Sequence, residues 1–154
     1  MEITFLGTSS MVPTKQRNHS GIFINYKTHG ILADCGEGTQ RQMKITGLKL
    51  VKIDKILISH WHGDHVSGII GLIQTMGNSV EQTPTLQIFG PIGTKMRMKH
   101  LMQSCIFENK VNIKITELNP KEVELCYEGE EYLIECAPMK HSVPCIGYSF
   151  IVKD

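Results

Sequence analysis

The pattern of apolar and polar positions along the chain predicts short strands interspersed with a few helices. Strands are predicted where apolar residues alternate with polar ones or form short runs, at residues 2–6, 22–26, 30–33, 55–59, 86–89, 113–118, 123–127, 131–137 and 146–152. Helices are predicted at residues 38–46, 64–76 and about 93–106. This mixed order favours an α+β fold in which helices cover an outer face of a sheet.

Length and composition indicate one domain, residues 1–154, with no strong overall charge. The net charge is +1, so any polyanionic partner must be held by local groups. The five cysteines form no Cys-x-x-Cys pair, which is typical of reduced thiols in the cytosol. The N-terminus lacks the features of a signal peptide, and no apolar run is long enough to span a membrane. We therefore expect a cytoplasmic protein that does not associate with a membrane.

Residues 59–65 carry four side chains that can bind metal. Alternate residues of an extended segment point to the same side, so His60 and His62 can bind one cation together. Asp64 and His65 are adjacent, face another direction at the start of the predicted helix, and suit a second cation beside the first. A histidine-rich surface loop is the alternative, which this close spacing disfavours. Residues 59–65, called the metal loop below, are therefore predicted to form a metal site.

The His-x-His-x-Asp-His pattern between a strand and a helix resembles the signature of the metallo-β-lactamase superfamily. That resemblance implies an αββα sandwich, in which two mixed sheets are packed together with helices on both outer faces. Five blocks along the chain further resemble the ribonuclease Z family: Thr4-Phe5-Leu6-Gly7-Thr8-Ser9-Ser10, Pro13-x-Lys15-x-Arg17-Asn18, Asp34-x-Gly36-Glu37-Gly38-Thr39-Gln40, Phe89-Gly90-Pro91 and His141-Ser142-Val143-Pro144-x-x-Gly147-Tyr148.

The family resemblance implies a ligand set for two zinc ions. His60, His62 and His141 would bind the first ion, and Asp64 and His65 would bind the second. In the family, a bridging aspartate and a further histidine come from the second half of the sequence. After His141 this chain offers only the Asp154 carboxylate and no histidine. The resemblance therefore implies the N-terminal half of the fold, with one complete sheet and its flanking helices.

The resemblance also implies an activity and its partners. Family members are homodimeric endonucleases that remove the 3′ trailer from precursor tRNA, using hydroxide generated at the metal centre, with Asp64 as the catalytic proton acceptor. Two alternatives remain open. The chain could be another phosphodiesterase or thioesterase of the same fold, or a catalytically incomplete fragment that forms half of a split enzyme.

Several other residues have competing interpretations. Lys15, Arg17 and Asn18 form either a solvated loop or, by resemblance, a contact to the RNA 3′ end. We expect Asp34 to hold a metal-binding histidine by its ring N–H rather than to bind metal itself. Trp61 is predicted to pack beside the metal loop, and Cys145 to be a small buried residue. The basic residues on the third predicted helix share no single face, which predicts solvation: Lys95, Arg97, Lys99 and His100.

Overall fold

A computed structural model describes residues 1–79 and 81–153; the Asp154 carboxylate considered above lies outside the described residues. The described residues form nine strands: β1 (Glu2–Gly7), β2 (Gly21–Tyr26), β3 (His29–Ala33), β4 (Ile53–Leu57), β5 (Thr85–Pro91), β6 (Asn112–Leu118), β7 (Glu124–Glu128), β8 (Tyr132–Pro138) and β9 (Ile146–Val152). Its helices are α1 (Thr39–Ile45), α2 (Gly63–Val66), α3 (Ile69–Asn78) and α4 (Thr94–Gln103), with a short 3-10 turn at Leu50–Lys52. No helix in this described part of the chain is long and apolar enough to cross a membrane.

The strands form two sheets. The larger sheet has the order β1-β2-β3-β4-β5-β6, and the smaller sheet has the order β7-β8-β9. Strands β1 to β3 pair antiparallel, whereas β3 to β6 pair in parallel. The smaller sheet is antiparallel throughout. The prediction of a mixed α+β fold with sheets and helices is confirmed.

Neighbouring residues of the central strands enter two separate cores, as expected when successive side chains point to opposite faces of a sheet. On one face Leu32 and Ile56 pack with helices α1, α3 and α4. On the other face Ile31 and Leu57 pack against Tyr132 of the smaller sheet. The helices therefore cover one side of the larger sheet, and the smaller sheet covers the other.

The smaller sheet does not reach the first strand of the larger one. Ile3 pairs in register with Ile24, so the two side chains share the face that is turned toward the smaller sheet. Ile24 packs against the inter-sheet core, but Ile3 is 50% exposed and Phe5 is 65% exposed. An apolar strip on β1 is therefore left uncovered by the described residues.

The helix predicted at residues 64–76 is divided in two by Gly68. The Gly68 N–H donates to the carbonyl of Cys35 at 2.9 Å, so it is not available for a bond within the helix. A side-chain Cβ at Gly68 would lie 2.1 Å from the carbonyl oxygen of Gly36. This close approach of two backbones separates α2 from α3 and fixes the metal loop against the turn that follows β3.

The carboxyl ends of β1, β3, β4 and β5 lie at one edge of the larger sheet. Strands β3 to β5 are parallel, and β1 has the same direction because two antiparallel pairings separate it from β3. The loops that follow these strands therefore meet at this edge. In open sheets of this kind, ligands bind beyond the carboxyl ends of parallel strands.

Candidate metal centre

Three histidines converge at the carboxyl edge of the larger sheet. His62 Nδ1 lies 3.1 Å from His60 Nε2 and 3.3 Å from His141 Nε2. The three candidate ligand atoms all lie within 4.8 Å of one another. Two nitrogens bound to one tetrahedral zinc at about 2.0–2.1 Å are themselves about 3.3 Å apart. The donor type and the spacing therefore both fit a tetrahedral metal site with one open position.

Hydrogen bonds between the two sheets bring His141 to the loop that carries His60 and His62. The Ile146 N–H donates to the Ser59 carbonyl at 2.9 Å. The hydroxyl of Tyr148 donates to the Ile58 carbonyl, also at 2.9 Å. Strand β9 is thus attached to the end of β4, and the preceding loop, with His141, is placed over the metal loop.

The Asp34 carboxylate positions two of the candidate ligands. Its Oδ2 accepts from His65 Nδ1 at 2.7 Å and from the Ser59 hydroxyl at 2.8 Å. Its Oδ1 accepts from the Ser59 backbone N–H at 2.8 Å. The Ser59 oxygen lies 2.9 Å from His60 Nδ1, which leaves His60 Nε2 turned toward the other histidines. Asp34 has a positive φ of 58°, a conformation that Asp tolerates better than most residues.

Asp64 and His65 form a second pair of candidate ligands. His65 Nε2, the ring nitrogen that is not bonded to Asp34, lies 3.4 Å from Asp64 Oδ2. The other oxygen, Asp64 Oδ1, is buried without a hydrogen-bond partner in the described structure. The His60 and His65 rings are 4.1 Å apart between centroids. The pair is therefore adjacent to the three-histidine cluster, and the unpaired Asp64 Oδ1 is available to bind a cation.

The surroundings of the cluster favour neutral, metal-binding imidazole at His60. The pKa of His60 is lowered to about 4, mainly by burial and also by the neighbouring His65. For His65, the hydrogen bond to Asp34 raises the pKa, against the effect of burial. The imidazole of His60 thus keeps a lone pair that can bind metal. The ring of His65 is held in place by its charge-assisted hydrogen bond to Asp34.

The loop of residues 8–20 packs beside the cluster. Asn18 Nδ2 donates to the carbonyl of Glu37 at 2.6 Å, and the His19 ring lies 3.2 Å from the carbonyl of Met11. A Cβ at Gly36 would lie 2.4 Å from the His19 Cβ and 2.3 Å from the Asp64 carbonyl. Gly36 therefore lies between this loop and the backbone of the metal loop, where no side chain would fit.

The remaining candidates lie at different distances from this centre. The side chains of Lys15 and Arg17 are exposed on the packed loop. Trp61 is partly buried against the larger core, as expected for a residue beside the metal loop. Cys145 is half-buried and outside the group of three ligand atoms.

Sequence reasoning did not identify the linking role of Ser59 or the inter-sheet contact of Tyr148. The only sequence signal for Ser59 is its position directly before His60. Tyr148 falls within a recognised block of the family resemblance, but nothing in the sequence indicates that its hydroxyl reaches the end of β4.

Comparisons with known proteins identify the relatives of this chain. The sequence model of the family described as Anti-Pycsar protein Apyc1 matches residues 1–153. Ribonuclease Z of Methanococcus aeolicus is 42% identical, covering 100% of this chain and 47% of the relative. Ribonuclease Z of Clostridium tetani is also 42% identical, covering 99% of this chain and 51% of the relative. The chain thus spans about half the length of the curated relatives it matches.

Solved structures that superpose on this chain include proteins of the same kind. Human tRNase Z, short form, superposes with a TM-score of 0.90 at 29% identity, covering 99% of this chain and 64% of that chain. A diphosphatase of the PhnP family superposes with a TM-score of 0.74 at 19% identity, covering 96% of this chain and 61% of that chain, and shows the shared fold. The predicted metallo-β-lactamase fold and the predicted resemblance to ribonuclease Z are confirmed. The chain belongs to the family described as Anti-Pycsar protein Apyc1 and is similar, over its whole length, to an N-terminal half of ribonuclease Z.

Proposed function

We propose that this protein is a zinc-dependent endoribonuclease that removes the 3′ trailer from precursor tRNA. The observation that carries the proposal is the cluster of His60, His62 and His141, with nitrogens 3.1 and 3.3 Å apart, beside the pair of Asp64 and His65. Relatives that are named Ribonuclease Z and are 42% identical over the chain support the RNA substrate. The proposal includes a homodimer, as the family resemblance implies, and a cytoplasmic location, which the pattern of cysteines favours.

We assign the metal-binding roles as follows. His60, His62 and His141 hold one zinc ion, and Asp64 and His65 contribute to a second site that needs further ligands. When bound, such ions lower the pKa of a coordinated water and neutralise charge on the scissile phosphate. Asp34 fixes the ring orientation of His65 directly and that of His60 through Ser59, which limits the entropy lost when the site is filled.

The other proposed roles concern the proton and the RNA. As the family resemblance implies, Asp64 accepts the proton of the attacking water, through the carboxylate oxygen that does not bind the cation. Lys15 and Arg17 extend from the packed loop as exposed cations and contact phosphates near the RNA 3′ end. Asn18, which donates to Glu37, holds that loop in place.

We infer that residues 1–154 are the N-terminal portion of a metallo-β-lactamase domain. The uncovered strip of Ile3 and Phe5 on β1 supports this inference, because a further strand beside β9 would lie over it. The two-residue set of Asp64 and His65 also needs ligands from elsewhere. The cleavage expected of this chain alone therefore relies on the site of His60, His62 and His141, with Asp64 as the proton acceptor.

The proposal is tested by incubating the zinc-loaded chain with a precursor tRNA that carries a 3′ trailer and mapping the ends produced. We expect cleavage at the trailer that Asp64→Asn abolishes, while the matched variant Asp54→Asn cleaves as wild type does. Elemental analysis of the same preparation gives the number of zinc ions per chain. Intact RNA in the presence of bound zinc would contradict the proposal for this chain.

A second candidate function is hydrolysis of a small phosphodiester by the same centre. It is favoured by the match to a family described as an anti-Pycsar protein rather than as a ribonuclease. Activity on bis(p-nitrophenyl) phosphate without activity on precursor tRNA would support this candidate. Activity on neither substrate would instead support the third interpretation, a catalytically incomplete half of a split enzyme.

A further inference from the structure

A small cavity of about 80 Å³ lies beside the metal cluster, on the side of α4. Its lining residues are Trp61, Pro91, Ile92, Arg97, Val143 and Pro144. The same two segments that supply the three histidines also supply walls of this cavity: Trp61 lies between His60 and His62, and Val143 follows His141 by two residues. Consecutive Cα atoms are about 3.8 Å apart, so the cavity is adjacent to the cluster.

The indole of Trp61 is held in one orientation. Because successive residues of an extended segment point to opposite sides, Trp61 faces away from the two neighbouring histidines and toward α4. Its Nε1–H donates to Thr94 Oγ1 at 2.8 Å, and the Thr94 hydroxyl donates to the Pro91 carbonyl at 2.7 Å. Thr94 is fully buried. The ring is thus a preorganised wall of the cavity.

Arg97 carries the positive charge at the cavity, since the other lining residues are uncharged. Its side chain is exposed. Its Nη1 lies 3.4 Å from the carbonyl of Gly93. A Cβ at Gly93 would lie 2.3 Å from the same Nη1, and Gly93 has a φ of 92°. The absence of a side chain at Gly93 therefore leaves room for the guanidinium beside the start of α4, at the mouth of the cavity.

The position of the cavity in the sheet relates it to the rest of the site. The loop of residues 8–20 follows β1, the Asp34 turn follows β3, the metal loop follows β4, and the cavity lies beyond β5. Adjacent strands are about 4.8 Å apart, so these features form a row along one edge of the sheet. Lys15 and Arg17 are on one side of the metal cluster, and Trp61 and Arg97 are on the other.

We propose that this cavity is a nucleotide subsite, in which Trp61 contacts the base next to the scissile phosphate and Arg97 contacts the adjoining backbone phosphate. The proposal rests on the proposed ribonuclease function and adds a substrate contact on the α4 side. An aromatic wall with a nearby cation is the usual means of holding a single-stranded base without reading its sequence. The cavity is much smaller than the roughly 300–1,000 Å³ of a drug-sized ligand site, which restricts it to part of one ring.

The test compares Arg97→Ala and Arg97→Lys with Lys99→Ala, which removes one exposed positive charge from the same helix. The dissociation constant of each zinc-loaded variant for trailer-bearing precursor tRNA is measured by fluorescence anisotropy at several salt concentrations. We expect Arg97→Ala to weaken binding by about 10-fold and to reduce the salt slope by about 1, because a phosphate contact is lost. Arg97→Lys should restore the slope, and Lys99→Ala should bind as wild type does.

A second measurement reports on the base contact. Trp61 is the only tryptophan in the chain, so its fluorescence reports on this cavity alone. A single-stranded RNA tetranucleotide should quench this fluorescence in wild type, and the quenching should be weaker in Arg97→Ala. The subsite would be overturned if Arg97→Ala kept the RNA affinity and salt slope of wild type. It would also be overturned if wild type bound RNA without quenching of its fluorescence. Either result would leave the ribonuclease proposal intact. A wild-type chain that neither binds nor cleaves precursor tRNA would overturn both.

Discussion

The Asp34 carboxylate and the His65 ring are joined by a hydrogen bond of 2.7 Å, and the same carboxylate oxygen accepts from Ser59 at 2.8 Å. Ser59 in turn contacts His60 at 2.9 Å. One carboxylate therefore orients a histidine of each candidate metal site. A similar contact, also at 2.7 Å, joins Asp54 to His29 at the opposite end of the strands, away from any candidate ligand. The two pairs offer a matched comparison between a metal-site role and a purely structural role.

Replacement of Asp34 by Asn should weaken zinc binding by about 10- to 100-fold, as is typical when the residue that orients a metal-binding histidine is lost. Asn tolerates the positive φ of Asp34, so the backbone should keep its conformation. Competition with a chromophoric chelator gives the zinc affinity. Asp54→Asn is the control and should bind zinc as wild type does. Equal losses in the two variants would contradict the positioning role of Asp34.

Replacement of His141 by Ala should weaken zinc binding by more than about 100-fold, because a direct ligand is lost rather than a group that orients one. Equilibrium dialysis followed by elemental analysis gives both the affinity and the number of ions per chain. His100→Ala removes an exposed histidine on α4 and is expected to have no effect on either quantity. Zinc binding that survives in His141→Ala would exclude the three-histidine site.

Replacement of Gly68 by Ala should lower the free energy of unfolding by about 1–3 kcal/mol, because the new Cβ would lie 2.1 Å from the Gly36 carbonyl oxygen. Gly63→Ala is the matched control, because Gly63 is helical and no described atom outside its own helix and its chain neighbours lies within 4 Å of the position its Cβ would take. The control should change the free energy of unfolding by less than about 0.5 kcal/mol. Urea denaturation of both variants measures the difference.

The cysteines should differ sharply in their reactivity toward iodoacetamide at pH 8. Cys35 is buried, and burial raises its pKa to about 12, so at pH 8 almost none of it is thiolate. Cys105 is exposed and should be alkylated in the folded protein. Peptide mass spectrometry should therefore find Cys105 modified at once and Cys35 modified only in denaturant. Rapid labelling of Cys35 in the folded protein would show that the turn after β3 opens.

The local features of this fold can be predicted from the sequence because they depend on residues that are close together along the chain. The alternation of apolar residues predicts all nine strands, with ends that differ from the observed ones by up to two residues. The spacing of His60 and His62 predicts their shared direction, and the structure places their ring nitrogens 3.1 Å apart. The division of the helix at Gly68 could not be predicted in this way, since its cause is the carbonyl of Cys35, more than 30 residues earlier.

The long-range contacts of the site are not encoded in any local pattern. His141 joins His60 and His62 because β9 pairs with β8 and contacts the end of β4, so only the family resemblance identified it from sequence. Arg97 was predicted to be merely solvated, because its basic neighbours share no helical face. Its proximity to Trp61 becomes visible only when the loops after β4 and β5 are placed side by side.

The three histidines come from both sheets: His60 and His62 follow β4 of the larger sheet, and His141 lies between β8 and β9 of the smaller one. An ion held by all three would link the two sheets, so its binding free energy would add to the free energy of unfolding. At a free zinc concentration 100 times the dissociation constant, this linkage contributes about 2.7 kcal/mol. Chelation should therefore lower the melting temperature, and hydrogen exchange should quicken first in β9, the strand whose attachment to the larger sheet the ion reinforces.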